Sequence, residues 1–222
     1  MEDKRNLRDE LKGLENEKVV ERLAQSRAEL EVAIINIEHD FNFGTIVRAA
    51  NNFNVSKIHI IGRRKYNRRG AMCTDKYMEF CFWDGREGGE DDLFAKNATG
   101  HRFGGQNGSE GGSSVREGVN LRRVEVDFDR AVEEFFEDQK ARRREVVAIE
   151  NNTKYVRGGL MEKEFIAETT LVFGGEGKGI PEEVLSRCRD VREIESYGST
   201  RSVNVGVAAG IAMWAWARQN RG

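Results

Sequence analysis

Leu171-Val172-Phe173-Gly174-Gly175-Glu176-Gly177-Lys178-Gly179-Ile180 carries an apolar stretch directly into a turn with four glycines, and Pro181 follows at the head of a helical pattern that reaches Cys188. A short apolar run has the length of a buried strand, and proline suits the first position of a helix. The segment therefore reads as strand, glycine turn, helix. The same alternation appears on both sides of it. Upstream stand a strand at 32–37, a helix at 45–53 and a strand at 57–61, then a strand at 123–126, a helix at 129–143 and a strand at 146–150. Downstream come a strand at 191–195 and a last helix at 203–219. Strands that alternate with helices, and that are apolar on both faces, predict an α/β fold with a mainly parallel sheet covered by helices on both sides.

The chain has 222 residues, enough for one well-cored domain or for a domain with an insertion. Leu7, Leu11, Leu14, Val19, Leu23 and Leu30 lie at roughly helical spacing among charges, with a break near Gly13, so residues 1–31 read as a helical extension ahead of a domain at 32–222. Between about 83 and 118 the periodicity stops, and 10 of the 24 glycines fall there among Ser, Asn and acids. Such a segment cannot bury enough apolar surface to offset its ordering entropy. It is expected to be a flexible, passive insertion, within which Arg102 and Arg116 are the side chains that could reach a substrate.

The net charge of -2 says little about partners, because the charges are segregated. From Lys57 to Lys76 the chain holds Arg63, Arg64, Lys65, Arg68 and Arg69 against the single acid Asp75. That run is either a solvated face or the footprint of a polyanion-binding loop. Cys73, Cys81 and Cys188 have no metal-ligand spacing and form no even-numbered framework, which suits reduced thiols. His39, His59 and His101 are scattered, so neither a metal site nor a nucleophilic triad is indicated. The charged stretch Met1 to Arg8 is unlike a signal peptide, and no apolar run is long enough to span a bilayer; the expectation is an intracellular, cytoplasmic protein.

Two common phosphate-binding patterns fail on the glycine turn. A Walker-type loop ending at Gly177-Lys178 would need glycine where Val172 stands and a hydroxyl where Gly179 stands, and the dinucleotide pattern would need its third glycine one residue later. A turn that lets backbone approach a ligand, or a plain tight turn, remains. Other candidates also have simple alternatives. Glu176 is a solvated loop acid, or a carboxylate that orders a neighbouring strand end or reaches a substrate. Arg48, on the helix after Asn42-Phe43-Gly44, is a helix edge in water or a working side chain. Ser202 and Asn204 stand where the last helix begins, in N-cap position. Gly206 and Gly210 allow close helix packing, and that helix is apolar on most sides, which suggests a second neighbour such as another subunit.

Taken in order, Asn42 to Phe53, Leu171 to Ile180 and Ile194 to Ile211 closely resemble the three sequence blocks of the SpoU (TrmH-like) RNA ribose methyltransferases of the SPOUT superfamily. The resemblance spans roughly residues 32–219, interrupted by the glycine-rich insertion. It implies a five- or six-stranded sheet, a C-terminal trefoil knot and S-adenosyl-L-methionine held in that knot near Gly174, Ile194, Ser202 and Val203. It further implies a homodimer, catalytic positions at Arg48, Asn42, Glu176, Ser202 and Asn204, and methyl transfer to a ribose 2'-hydroxyl, with tRNA ahead of rRNA. RNA contact is expected from the N-terminal helices and from Arg63, Arg64, Lys65, Arg68 and Arg69, with help from Lys140, Arg142, Arg143 and Arg144. The family's Ile-Pro-Met reads Ile194-Glu195-Ser196 here, and its Ser-Leu-Asn reads Ser202-Val203-Asn204. An acid and a hydroxyl beside the cofactor motivate an alternative, an RNA-binding protein of the same fold without transfer activity.

Overall fold

The computed structural model describes residues 3–36, 42–64, 69–86, 126–151, 153–175 and 177–221. Its centre is a six-stranded sheet in the order β3-β2-β1-β5-β4-β6, formed by β1 (Ala28–Asn36), β2 (Val55–Gly62), β3 (Phe80–Trp83), β4 (Glu145–Ile149), β5 (Thr169–Phe173) and β6 (Asp190–Arg192). Every pairing in it is parallel. The helices are α1 (Asn16–Ala24), α2 (Phe43–Asn52), α3 (Phe128–Ala141), α4 (Glu182–Leu185) and α5 (Val205–Asn220).

Strand β1 shows why the sheet is covered on both sides. Alternate residues of a strand face opposite ways. Leu30, Val32 and Ile34 enter one apolar core with Phe43, Ile46, Val47 and Ala50 of α2 and Ala209, Ala212, Met213 and Trp216 of α5. Ala33 and Ile35 enter a second core with Ala131, Val132 and Phe135 of α3 and Val184 and Leu185 of α4. A smaller third cluster packs Leu11, Val19 and Leu23 of the N-terminal segment on Tyr77. Asn54, in left-handed backbone conformation with φ 50, joins that segment to the sheet by donating to the carbonyls of Leu23 and Ser26 at 3.0 and 2.8 Å.

Most of the expected strands and helices are present with shifted ends; β1 begins at Ala28, so Leu30, read with the helical spacing of residues 1–31, is instead a buried strand residue. The strand expected at 123–126 falls largely outside the described residues, as does the insertion beyond Arg86. Strand β3 was not expected from the sequence; Ile58–Ile61 of β2 pairs with Phe80–Trp83, which extends the sheet to the edge. The helix expected from Pro181 to Cys188 is one turn, α4, followed by looser turns at Arg187 and Cys188.

A charged cluster lies inside the sheet–α3 layer. Glu31, which is buried, meets His59 Nε2 at 2.8 Å, Arg144 Nε at 3.2 Å and the Arg142 guanidinium. The Trp83 indole N–H, which can only donate, reaches His59 Nδ1 at 3.0 Å. The proton of the neutral imidazole is therefore on Nε2, which donates to Glu31. Burial opposes ionisation of both groups; it lowers the His59 pKa, whereas at Glu31 the His59 and Arg142 hydrogen bonds overcome it and bring the carboxyl down to about 2.

Candidate functional site

In open α/β sheets ligands bind beyond the carboxyl ends of the strands. Here the chain leaves β4 at Glu150, β5 at Gly174 and β6 at Glu193, and between these exits lies a cavity of about 700 Å³. Ile149, Ile194, Val203 and Ala208 give it apolar lining, while Glu150, Asn151, Ser202, Asn204 and the turn residues 174, 175 and 177–180 supply polar groups. That volume is within the range of small-molecule and cofactor sites.

The turn is compact because of its glycines. A side-chain carbon at Gly174 would lie 2.2 Å from the Gly179 carbonyl carbon, and Gly179 has φ +62 with no room for a Cβ beside Glu150 Oε2 at 2.4 Å. Only glycine satisfies both constraints without moving backbone. Gly175 and Gly179 close the turn through a 3.0 Å backbone hydrogen bond. Glu150 then fixes its end: Oε2 accepts from the Ile180 amide at 2.8 Å and Oε1 from the Asn151 amide at 2.9 Å.

The opposite wall is the segment 195–204, which leads into α5. Asn204 caps that helix, its Oδ1 accepting from the amides of Gly206 at 2.9 Å and Val207 at 3.4 Å. Its Nδ2 donates to Asn42 Oδ1 at 2.9 Å, joining the start of α5 to the start of α2. The two helix starts are also fitted by glycines. Gly44 packs backbone to backbone on Gly70 and Ala71, and Gly206 sits against Thr45. Gly210, expected to serve close packing as well, has nothing within 4 Å of an added Cβ.

The structure thus brings Gly174, Ile194, Ser202, Val203 and Asn204 to one cavity, with Asn42 hydrogen-bonded at its margin. Arg48 is not a lining residue. It is exposed on α2 along with Thr45 and Asn52, and it makes no hydrogen bond or ion pair to other described residues. Glu176, Lys65 and Arg68 lie outside the described residues, as do Arg102 and Arg116, and Arg69 is described in its backbone alone. Arg63 is exposed; Arg64 is paired with Asp84 and stacks over Phe82, its guanidinium carbon 5.5 Å from the ring centre. Lys140 and Arg143 are exposed. Arg142 and Arg144, by contrast, are engaged by Glu31, and the Arg144 side chain is only 5% exposed, so its charge is committed to the interior.

Glu195 and Ser196 do not line the cavity. The Glu195 carboxylate lies on Gly159, where an added Cβ would be 2.1 Å from Oε1, so the acid at this position turns away from the cavity that Ile194 faces. Sequence reasoning missed Glu150 and Asn151. The available signal was positional: polar residues immediately after a strand buried on both faces stand at the carboxyl edge of the sheet. Among the described residues there is no cluster that could hold a metal ion and no helix long and apolar enough to cross a membrane.

The sequence profile of the SpoU rRNA Methylase family matches residues 119–214. A comparison with curated protein sequences returned no match. Among solved structures, the A. aeolicus TrmH/SpoU tRNA modifying enzyme superposes with a TM-score of 0.62 at 21% identity, over 94% of this chain and 85% of that one. A structure described for 2-OH methylation of C/U34 on tRNA gives 0.56 at 20% identity, over 86% and 95%. The SpoU methyltransferase AviRb from Streptomyces viridochromogenes, solved with the cofactor AdoMet, gives 0.58 at 15% identity, over 88% of this chain and 60% of that one. The profile match runs across β4, β5, β6 and the first part of α5, and the solved structures share the fold, so over that stretch the chain is similar to the SpoU rRNA Methylase family.

Proposed function

We propose that this chain is an S-adenosylmethionine-dependent RNA methyltransferase that acts on a ribose 2'-hydroxyl, with tRNA as the favoured substrate, and that it works as a homodimer. The observation that carries the reading is the convergence of Gly174, Ile194, Ser202, Val203 and Asn204 on one cavity with both apolar and polar lining. The apolar patches suit a nucleoside base and an aliphatic chain, and the polar groups of the lining suit hydroxyl and amino-acid groups, so the residues present fit this cofactor. The tRNA emphasis is supported by the two neighbours described as acting on tRNA. The trefoil knot belongs to the same proposal, supported by the close passage of segments 174–180 and 195–204 around residues 150–151.

When bound, S-adenosylmethionine supplies an electrophilic methyl group on a sulfonium centre. The chain's own contribution is mainly geometric. Holding a hydroxyl in line with that methyl group removes orientational freedom before reaction, worth on the order of several kcal/mol of barrier. The glycine turn and the Asn204–Asn42 bond hold the cavity walls, and a ligand seated against Ile149, Ile194 and Val203 would displace water from their apolar surface. A dry surrounding favours a step in which opposite charges neutralise one another. Arg48 is assigned to the RNA: its guanidinium, paired with a substrate phosphate, orients the hydroxyl, whose proton leaves to that phosphate or to solvent as the oxygen takes the methyl group. A guanidinium is too weakly acidic to serve as a simple base at neutral pH.

Arg48 lies outside its own chain's cavity, and this agrees with a site completed by a partner. The exposed face of α5 carries Val207 and Trp214, 52% and 54% exposed, with Gly210 open between them, and Val203 precedes them on the cavity rim. A second copy packed on this face would cover apolar surface and bring an Arg48 to the opposite cavity. Sedimentation tests the pairing: a dimer is expected for the wild type and a monomer for Trp214→Glu. Incubation with methyl-labelled S-adenosylmethionine and total RNA, followed by mapping of the label, tests the activity. Label on a ribose oxygen of tRNA is expected. Label on a base, or none on any RNA, contradicts it.

A further inference from the structure

Glu150 and Asn151 are adjacent residues bound to opposite walls of the cavity. Glu150 is half-buried at the end of β4 and lines the cavity. Its Oε2 accepts from Ile180 N at 2.8 Å, at the last amide of the glycine turn, and the same oxygen occupies the space that any Cβ on Gly179 would need. Asn151 directs its side-chain amide the other way, donating to the Arg201 carbonyl in the segment that leads to Ser202 and Asn204. The Asn151 amide in turn donates to Glu150 Oε1 at 2.9 Å, so the pair is locked to itself as well as to both walls.

We infer that Glu150 and Asn151 form a clamp that sets the separation of the glycine turn from the 195–204 segment, and that Glu150 is the positioning residue for whatever occupies the cavity. The inference rests on the methyl-donor reading for the identity of that occupant. The clamp itself rests on hydrogen bonds within the chain. A turn of glycines has wide conformational freedom, and its backbone must be fixed if its amides are to meet a ligand in one arrangement. A carboxylate is suited to this because it can accept from two amides at once and still present lone pairs to the cavity. Each Glu150 oxygen takes one amide, which leaves acceptor capacity on the cavity side for a hydroxyl or amino group of a nucleoside-like ligand.

The test uses the full chain and the variants Glu150→Ala and Glu150→Gln, with two readouts. Hydrogen exchange of the Ile180 amide reports the clamp without ligand, and calorimetry with S-adenosylhomocysteine reports its consequence. In Glu150→Ala the Ile180 amide is expected to exchange about tenfold faster and the affinity to fall about tenfold, the cost of one unpaired donor. Glu150→Gln, which keeps an acceptor oxygen for that amide, is expected to restore a large part of both. In turnover, Glu150→Ala should raise KM for S-adenosylmethionine and leave KM for RNA unchanged. Unchanged Ile180 exchange in Glu150→Ala overturns the clamp, and so does wild-type affinity in a variant whose Ile180 amide is exposed. If wild-type protein binds no S-adenosylhomocysteine, the methyl-donor reading fails, and the exchange data still decide the clamp.

Discussion

The Asn204 carboxamide donates to Asn42 Oδ1 at 2.9 Å and accepts from the Gly206 amide at 2.9 Å, so one side chain both caps α5 and ties it to α2. Loss of an N-cap costs about 1 kcal/mol. Asn204→Ala is therefore expected to lose at least about that much in urea unfolding, whereas Asn204→Asp, which keeps the accepting oxygen but not the donor to Asn42, should recover the cap's share of the loss. An alanine variant as stable as the wild type would show that the cap is not what holds the start of α5.

The two helix starts also depend on glycine. A Cβ at Gly44 would stand 2.6 Å from the Ala71 amide nitrogen and 2.8 Å from Gly70 Cα, both backbone atoms that cannot rotate away. Gly44→Ala should lower stability by about 1–3 kcal/mol, the usual range for overpacking. Gly210→Ala, where nothing is within 4 Å, should cost nothing in the monomer and gain helix propensity. Equal effects of the two substitutions in thermal unfolding would contradict the packing described for α2.

The buried cluster around Glu31 makes stability depend on pH with a defined sign. Burial holds the His59 pKa below its ordinary 6.5, so as pH falls through 6.5 the unfolded chain takes up a proton that the folded chain refuses. Glu31 is held at about 2 against an ordinary 4.5, so its contribution is present above 4.5 and is lost as pH falls toward 2. Both effects lower stability in acid. Below pH 6.5 the His59 part has a limiting slope of about 1.4 kcal/mol per pH unit. His59→Gln can still accept from Trp83 and donate to Glu31 but does not titrate, and it should flatten this slope in urea unfolding measured at several pH values. A slope that survives the substitution would assign the dependence to other groups.

The exposure of Arg48 lets its proposed role in transfer be tested apart from folding. Because the side chain makes no hydrogen bond or ion pair to other described residues, Arg48→Ala should leave the melting temperature and S-adenosylhomocysteine binding unchanged and abolish methyl transfer. Transfer at the wild-type rate would remove Arg48 from the mechanism.

Local pattern was enough to read most of the sheet. The run from Val32 to Ile35 is buried on both faces, which is why it has no polar alternation, and β5 ends at the first glycine of its turn as the sequence suggests. Strand β3 escaped because four residues next to a glycine-rich stretch carry too little periodicity, and their pairing with β2 is supplied by the rest of the sheet. The site divided in the same way. Gly174 and Asn204 are legible because backbone geometry and capping select their residue types. The charges of Arg142 and Arg144 were not, since only tertiary structure shows that Glu31 lies buried 111 positions from Arg142 in sequence and draws both inward. Glu195 misled for a related reason: the family resemblance places an acid beside the segment expected to hold the cofactor, while its side chain rests on Gly159.

The central claim is that the cavity between the glycine turn and the 195–204 segment receives the methyl donor. A crystal structure of the protein soaked with S-adenosylhomocysteine tests it most directly. The account predicts the ligand in that cavity, against Gly174, Ile194 and Val203, with the Glu150–Ile180 hydrogen bond intact. Ligand bound elsewhere on the chain, or a cavity left empty at saturating concentration, would contradict it.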